Sequence, residues 1–326
     1  MPLGNRIDPR APVTPPPSLR PSSATSAKAD DIAENAKKAA STSFQAIEPK
    51  FVIDDLIITP ATRSAILDAL TIYAKRELIF DTWGLGATHK QQNKAGINLY
   101  GAPGTGKTMA AHAIASHLGR KLLIVDYSQI ESKYVGETSK NLVALFEYAK
   151  TEECVIFFDE ADALLSKRVT NMSSSTDVSV NQTRSVLLLL ISDYDDIILF
   201  ATNFVSNFDP AFMRRISSHV KFDLPDEENR VKLWEMYIPK AMPNDADIPK
   251  LAKDHTGVSG SDISTAVLSA ALRAARNDDE LVRHEYFAEA IQMALKSKEA
   301  NSGVTVVSER VVSKEYVEQQ IGRKVV

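Results

Sequence analysis

The octapeptide Gly101-Ala-Pro-Gly104-Thr-Gly106-Lys107-Thr108 follows directly on the apolar run 97–100 and opens a stretch of helical spacing, 107–118. Few local patterns restrict a fold so strongly. A strand, a glycine-rich turn and a helix start let successive backbone N–H groups curl around phosphate oxygens, with the positive end of the helix dipole behind them. Lys107 would neutralise phosphate charge and Thr108 would reach a Mg²⁺ ion. The reading places Pro103, Gly104, Thr105, Gly106, Lys107, Thr108 and Met109 around the phosphates of ATP. A glycine-rich turn without a ligand would not need a strand before it and a helix after it.

The rest of the chain supplies the layers such a turn requires. Residues 97–100, 121–127, 154–158, 197–201 and 219–224 are short and rich in β-branched or aromatic side chains, and read as five strands. Helical spacing falls between the first four, at 107–118, 139–150 and 183–193. Alternating strands and helices predict a three-layer αβα domain around a parallel five-stranded sheet. After Pro225 the strands stop, and 228–237, 248–254, 261–275 and 283–295 predict a small all-α domain. The expected organisation is an arm over 1–47, an α/β nucleotide-binding domain over 48–226, a helical lid over 227–298, and a helix or tail over 299–326. The arm is rich in Pro, Ser, Ala and Lys and holds too little apolar surface to order itself.

The apolar run 155–158 ends in Asp159-Glu160. In P-loop NTPases the first acid of such a strand end holds the Mg²⁺ shell, here with Thr108, and an adjacent carboxylate can orient the attacking water. Asp159 therefore reads as a metal-site residue and Glu160 as the catalytic one.

With these motifs in order, residues from about 51 to 296 resemble the AAA ATPases. That family has an asparagine at the end of the strand beside the acid-bearing one, and Leu199-Phe-Ala-Thr-Asn203 is similar to it, although an isolated Asn203 would read as a turn residue. Asp209-Pro-Ala-Phe-Met-Arg214-Arg215 resembles the segment whose arginines reach a neighbouring subunit's nucleotide, with Arg214 the first candidate and Arg215 the second. The resemblance implies a homo-oligomer, usually a ring of six. Gly257-Val-Ser-Gly260-Ser261-Asp262 is similar to the start of the lid helix that closes over the nucleotide, which brings in Gly260 and Ser261. A sensor arginine found near that position in some branches is absent. Residues 51–59 resemble the segment lining the adenine pocket.

Ser132-Lys133-Tyr134-Val135-Gly136-Glu137 lies where AAA unfoldases carry a central-pore loop, so the resemblance implies that Tyr134, flanked by Lys133 and Val135, grips an extended protein client. A rigid ring offers contact at low entropy cost and with little demand on client sequence. The polar stretch 170–183 is a second loop candidate. Residues 77–84, Glu-Leu-Ile-Phe-Asp-Thr-Trp-Gly, resemble the segment before the phosphate loop in the pachytene-checkpoint ATPases, remodelers of HORMA-domain signalling proteins, which suggests a bacterial relative acting in antiphage defence. That branch commonly has an aromatic pair in its pore loop, where Val135 departs. The alternative is a DNA-associated AAA ATPase of clamp-loader or replication-initiator type.

Composition narrows the partners. A net charge of −4 over 326 residues gives no basic footprint, so no nucleic acid is expected. The longest apolar stretches fall far short of the roughly 20 residues that span a bilayer. With one cysteine and no apolar leader after Arg6 and Arg10, the chain reads as cytoplasmic.

Overall fold

A computed structural model describes residues 44–89, 96–126, 137–165, 175–203 and 208–301. The expectations for the arm up to residue 43, for Lys133, Tyr134 and Val135, for 170–174, and for the tail beyond 301 fall outside the described residues. From Gln45 onward the described chain belongs to one compact unit.

Its centre is a five-stranded sheet of β1 (Gly96–Gly101), β2 (Leu122–Val125), β3 (Val155–Phe158), β4 (Ile198–Thr202) and β5 (Ser218–Phe222), in the order β2-β3-β4-β1-β5. Every pairing is parallel; Leu99 lies opposite Ala201 on one side and Val220 on the other. Parallel strands are covered on both faces, so they read as continuous apolar runs rather than alternating ones. All four residues of β3 and all five of β4 are buried.

Alternation along the strands sends side chains to two cores. On one face Leu99, Phe157, Leu199 and Val220 pack with α1 (Pro60–Ala74) and α2 (Lys107–His117), through Ile66, Leu70, Ala111 and Ile114. On the other, Phe158 stacks on Phe200 with centroids 5.4 Å apart and meets Phe146 of α3 (Glu137–Thr151), which in turn meets Tyr194 edge-on. Each such fully buried apolar side chain contributes about 1.5–3 kcal/mol relative to exposure. A four-residue helix α4 (Asp162–Leu165) follows β3, α5 (Ser175–Asp193) precedes β4, and the short α6 (Pro210–Met213) precedes β5.

Beyond Pro225, α7 (Glu227–Tyr237), α8 (Ile248–Asp254), α9 (Gly260–Arg276) and α10 (His284–Asn301) enclose a separate apolar core, where Trp234 meets Phe287 edge-on at 6.0 Å. Ile58 packs on the sheet's core and Ile57 on the helical one, so the segment before α1 touches both.

Two expectations change. α5 starts at Ser175, so most of the stretch read as a polar loop, 175–183, is helix. α1 was not foreseen, although Thr59 caps it by accepting from the Thr62 N–H and Pro60 occupies its first turn. A π-helix follows at Glu77–Thr82, and Gly84 turns the chain with a φ of 74°.

Candidate functional site

Three neighbouring strands, β3, β4 and β1, end side by side, and the carboxyl ends of parallel strands are where open α/β sheets bind ligands. The turn after β1 enters α2 through Gly106, whose φ of 96° suits a residue without a Cβ; a Cβ there would point into open space. Thr105 stiffens the turn by donating to the Ala102 carbonyl at 2.8 Å.

Lys107 is almost fully buried, and its ammonium donates to the carbonyls of Gly101 and Ala102 and to Asn203 Oδ1, each at 2.9 Å. Burial lowers its pKa from the ordinary lysine value, while the carboxylates of Asp159 and Asp162 oppose that shift. The ammonium thus stands at the meeting point of the loop and two strand ends. One residue on, the Thr108 hydroxyl donates to Asp159 Oδ2 at 3.0 Å. A hydroxyl and a carboxylate at hydrogen-bond distance are the oxygen donors that suit Mg²⁺, which typically takes one or two protein oxygens and fills its octahedron with phosphate and water.

Asp159 Oδ1 accepts from the Glu160 N–H at 2.9 Å, which fixes the turn after β3. Glu160 itself is exposed and holds a φ of 49°, a left-handed backbone costing roughly 1–2 kcal/mol in a residue other than glycine. Strain of this kind collects at functional sites. It is the carboxylate offered to solvent at this corner, while its neighbour is engaged with Thr108.

Sequence reasoning passed over Asp162 as a site residue. One of its oxygens accepts from the Thr202 hydroxyl, and the other from the Asn203 N–H at 3.2 Å. The carboxylate clamps the end of β4 to the turn after β3 and thereby sets Asn203 toward Lys107. Only the sheet order reveals this, because the two partners lie some forty residues further along the chain.

Gly260 and Ser261 are brought to the loop by the start of α9. The Ser261 N–H donates to the Gly104 carbonyl at 3.3 Å. Gly104 has a φ of 75°, and a Cβ on it would stand 1.9 Å from Ser261 Oγ and 2.7 Å from Ser259 Oγ, so no other residue fits beneath the helix. Ser259 escaped notice as a site residue, although Ser259 and Asp262 have the S-x-x-D spacing of a capping box, and they form one.

Between loop, sheet and lid opens a cleft of about 630 Å³, counted out to its mouth, with Ile57, Ile58, Met109, Phe222, Leu233 and Tyr237 among its walls. An apolar slot beside a phosphate-cradling loop fits a ligand with a flat base at one end and an anionic chain at the other. Residues 55–59 form part of the wall. Pro103 lies exposed in the loop.

The two arginines part company. Arg214 caps α6, its N–H donating to the Pro210 carbonyl at 3.2 Å, and is exposed, with no side-chain hydrogen bond or ion pair among the described residues. Arg215 turns inward, its Nε donating to Ser192 Oγ of α5 at 2.6 Å and its Nη1 to the Ala211 carbonyl at 2.9 Å.

Comparison with known proteins agrees with this geometry. Residues 97–224 match the profile of the ATPase family associated with various cellular activities (AAA). The chain is 34% identical over 216 residues to a proteasome-activating nucleotidase of Methanopyrus kandleri, covering 64% of this chain and 49% of that protein. It is 36% identical over 205 residues to the proteasome-activating nucleotidase of Methanosarcina mazei, covering 60% and 49%. To the 26S proteasome regulatory subunit 10B of Dictyostelium discoideum it is 33% identical over 211 residues, covering 62% and 53%. The chain spans about half the length of each of these relatives. Among the described residues no helix is long and apolar enough to cross a membrane.

Proposed function

We propose that this chain, whose residues 97–224 form an AAA ATPase domain, hydrolyses ATP within a ring of identical copies and uses the energy to remodel a protein client. The observation that carries the reading is the convergence of Lys107, Thr108, Asp159 and Asn203 at three adjacent strand ends, with Glu160 beside them. In this reading Lys107 and the loop N–H groups hold the phosphates, and Thr108 and Asp159 hold Mg²⁺. Bound there, Mg²⁺ would neutralise phosphate charge and orient the terminal phosphoryl group. Glu160 and Asn203 position and polarise the attacking water.

Arg214 is assigned as the finger that completes a neighbouring copy's site, a contribution worth roughly 10³–10⁵ in rate in other phosphoryl-transfer enzymes. Arg215 is assigned to bracing the segment that presents it. A hexamer is the expected ring. Tyr134, with Lys133 and Val135, is the proposed grip on the client. The names of the matched relatives point to proteasome-associated ATPases, which supports a protein rather than a nucleic-acid substrate. The narrower proposal of a HORMA-domain client in antiphage defence rests on residues 77–84 alone.

Phosphate release measured with and without an unfolded polypeptide or single-stranded DNA tests the reading. Stimulation by polypeptide supports it, and stimulation by DNA alone replaces it with the DNA-associated alternative. Glu160→Gln should retain ATP without cleaving it and trap the oligomer. Normal turnover by that variant removes Glu160 from the mechanism. Proteins captured by the same trap identify the client, and a capture that yields no HORMA-domain protein retires that proposal.

A further inference from the structure

The start of α9 rests on the phosphate loop through the Ser261–Gly104 bond, and what fixes that start comes from far along the chain. Ser259 is fully buried. Its N–H and its hydroxyl both donate to Asp262 Oδ2, at 2.6 and 2.7 Å, and its oxygen lies 3.1 Å from Ser261 Oγ. The same carboxylate oxygen receives a third donor, the ammonium of Lys298 near the end of α10. The Asp262 side chain is only 12% exposed and that of Lys298 40%. A carboxylate so covered needs a counter-charge, and Lys298 is the one basic group with which it forms an ion pair among the described residues.

Building on the nucleotide reading above, we propose that Lys298 is a positioning residue for the phosphate loop, acting through Asp262 and Ser259 to hold the start of α9 against Gly104. The end of α10 and the nucleotide site then form one mechanical unit. A force or partner that displaces the end of α10 would loosen the hold on nucleotide. Coupling of this kind is reciprocal, so nucleotide bound at the loop must also steady the end of α10.

Burial alone would raise the Asp262 carboxyl, and the Lys298 ammonium together with the Ser259 bonds outweigh it, leaving the group below the usual aspartate range. It is therefore ionised at neutral pH and available to accept all three donors. A second ion pair, Arg273–Glu289, joins the same two helices away from the loop and serves as the control.

The test measures ADP affinity of the full chain for wild type, Lys298→Met, Lys298→Arg and Arg273→Met. The expected outcome is a dissociation constant raised about 5- to 50-fold in Lys298→Met, an ordinary size for coupling between sites. Lys298→Arg and Arg273→Met should stay within about twofold of wild type. A merely structural bridge would instead lower the melting temperature of Lys298→Met and Arg273→Met alike and leave affinity untouched, which overturns the proposal. The reciprocal measurement uses wild type alone: amide exchange over 293–301 should slow on adding ADP, and no slowing overturns the proposal even if Lys298→Met fails to fold. A wild-type chain that binds no ADP defeats the nucleotide reading itself, and this inference with it.

Discussion

Lys107 and Asn203 meet across the ends of two adjacent strands, the ammonium of one donating to the side-chain carbonyl of the other at 2.9 Å. The bond joins the phosphate loop to the end of β4, so whatever moves the loop's charge is felt at the asparagine. Asn203→Ala should lower kcat about 100-fold, the usual effect of losing one preorganised polar group, with little change in KM. Steady-state phosphate release measures both. A rise in KM with unchanged kcat would place Asn203 in binding rather than in the chemical step.

Asp162 holds Asn203 in that posture and braces the Thr202 hydroxyl as well. Asp162→Ala removes an acceptor from the Thr202 hydroxyl and from the Asn203 N–H, a loss of about 1–3 kcal/mol in total. Chemical denaturation should show that loss, and kcat should fall along with that of Asn203→Ala. The double variant should be slowed by less than the product of the two single effects, because Asp162 acts in part through its bond to Asn203.

Arg214 and Arg215 should separate cleanly. Arg214→Ala removes an exposed side chain and should leave the melting temperature unchanged while abolishing most ATP turnover. Arg215→Ala breaks the bonds to Ser192 and Ala211 and should lower stability by about 1–2 kcal/mol. Mixing Arg214→Ala subunits with Lys107→Ala subunits should restore turnover, since one contributes intact loops and the other intact arginines.

Cys154 ends the turn before β3 with no exposed surface, and burial pushes its thiol up to about 11. At pH 8 the folded chain holds it as the unreactive thiol, whereas an unfolded chain returns it toward the ordinary cysteine value near 8.5. Iodoacetamide at pH 8 should therefore leave the native protein unlabelled and label it in denaturant. Mass spectrometry reads the difference directly.

Much of the fold was legible because the β-rich runs are short and separated by helical spacing; β3 and β4 could hardly be read otherwise. Helix α5 is longer than its sequence suggests because Ser175, Thr176 and Ser179 favour caps and turns locally, yet the backbone there is helical. Helix α1 went unread although Thr59-Pro60 announces its start. At the site, the loop motif points to Lys107 and Thr108 because their place beside the turn depends on spacing alone. Asp162 and Lys298 could not be found that way, since each acts on a partner at a distance along the chain that no spacing encodes. Sequence ranks Arg214 ahead of Arg215 by its place in the motif alone and offers no physical distinction between them. That distinction lies in Ser192, which approaches only when α5 folds back.

The seat of Ser259 and Ser261 above Gly104 also bears on the protein's birth. Nearly half the chain's length separates the glycine from the serines, and synthesis adds only about 5–20 residues per second. For several seconds a nascent sheet therefore exists without its roof. A product cut short before Ser259 would carry the motif intact yet lack this closure, so retention on an immobilised nucleotide should sort finished chains from abandoned ones.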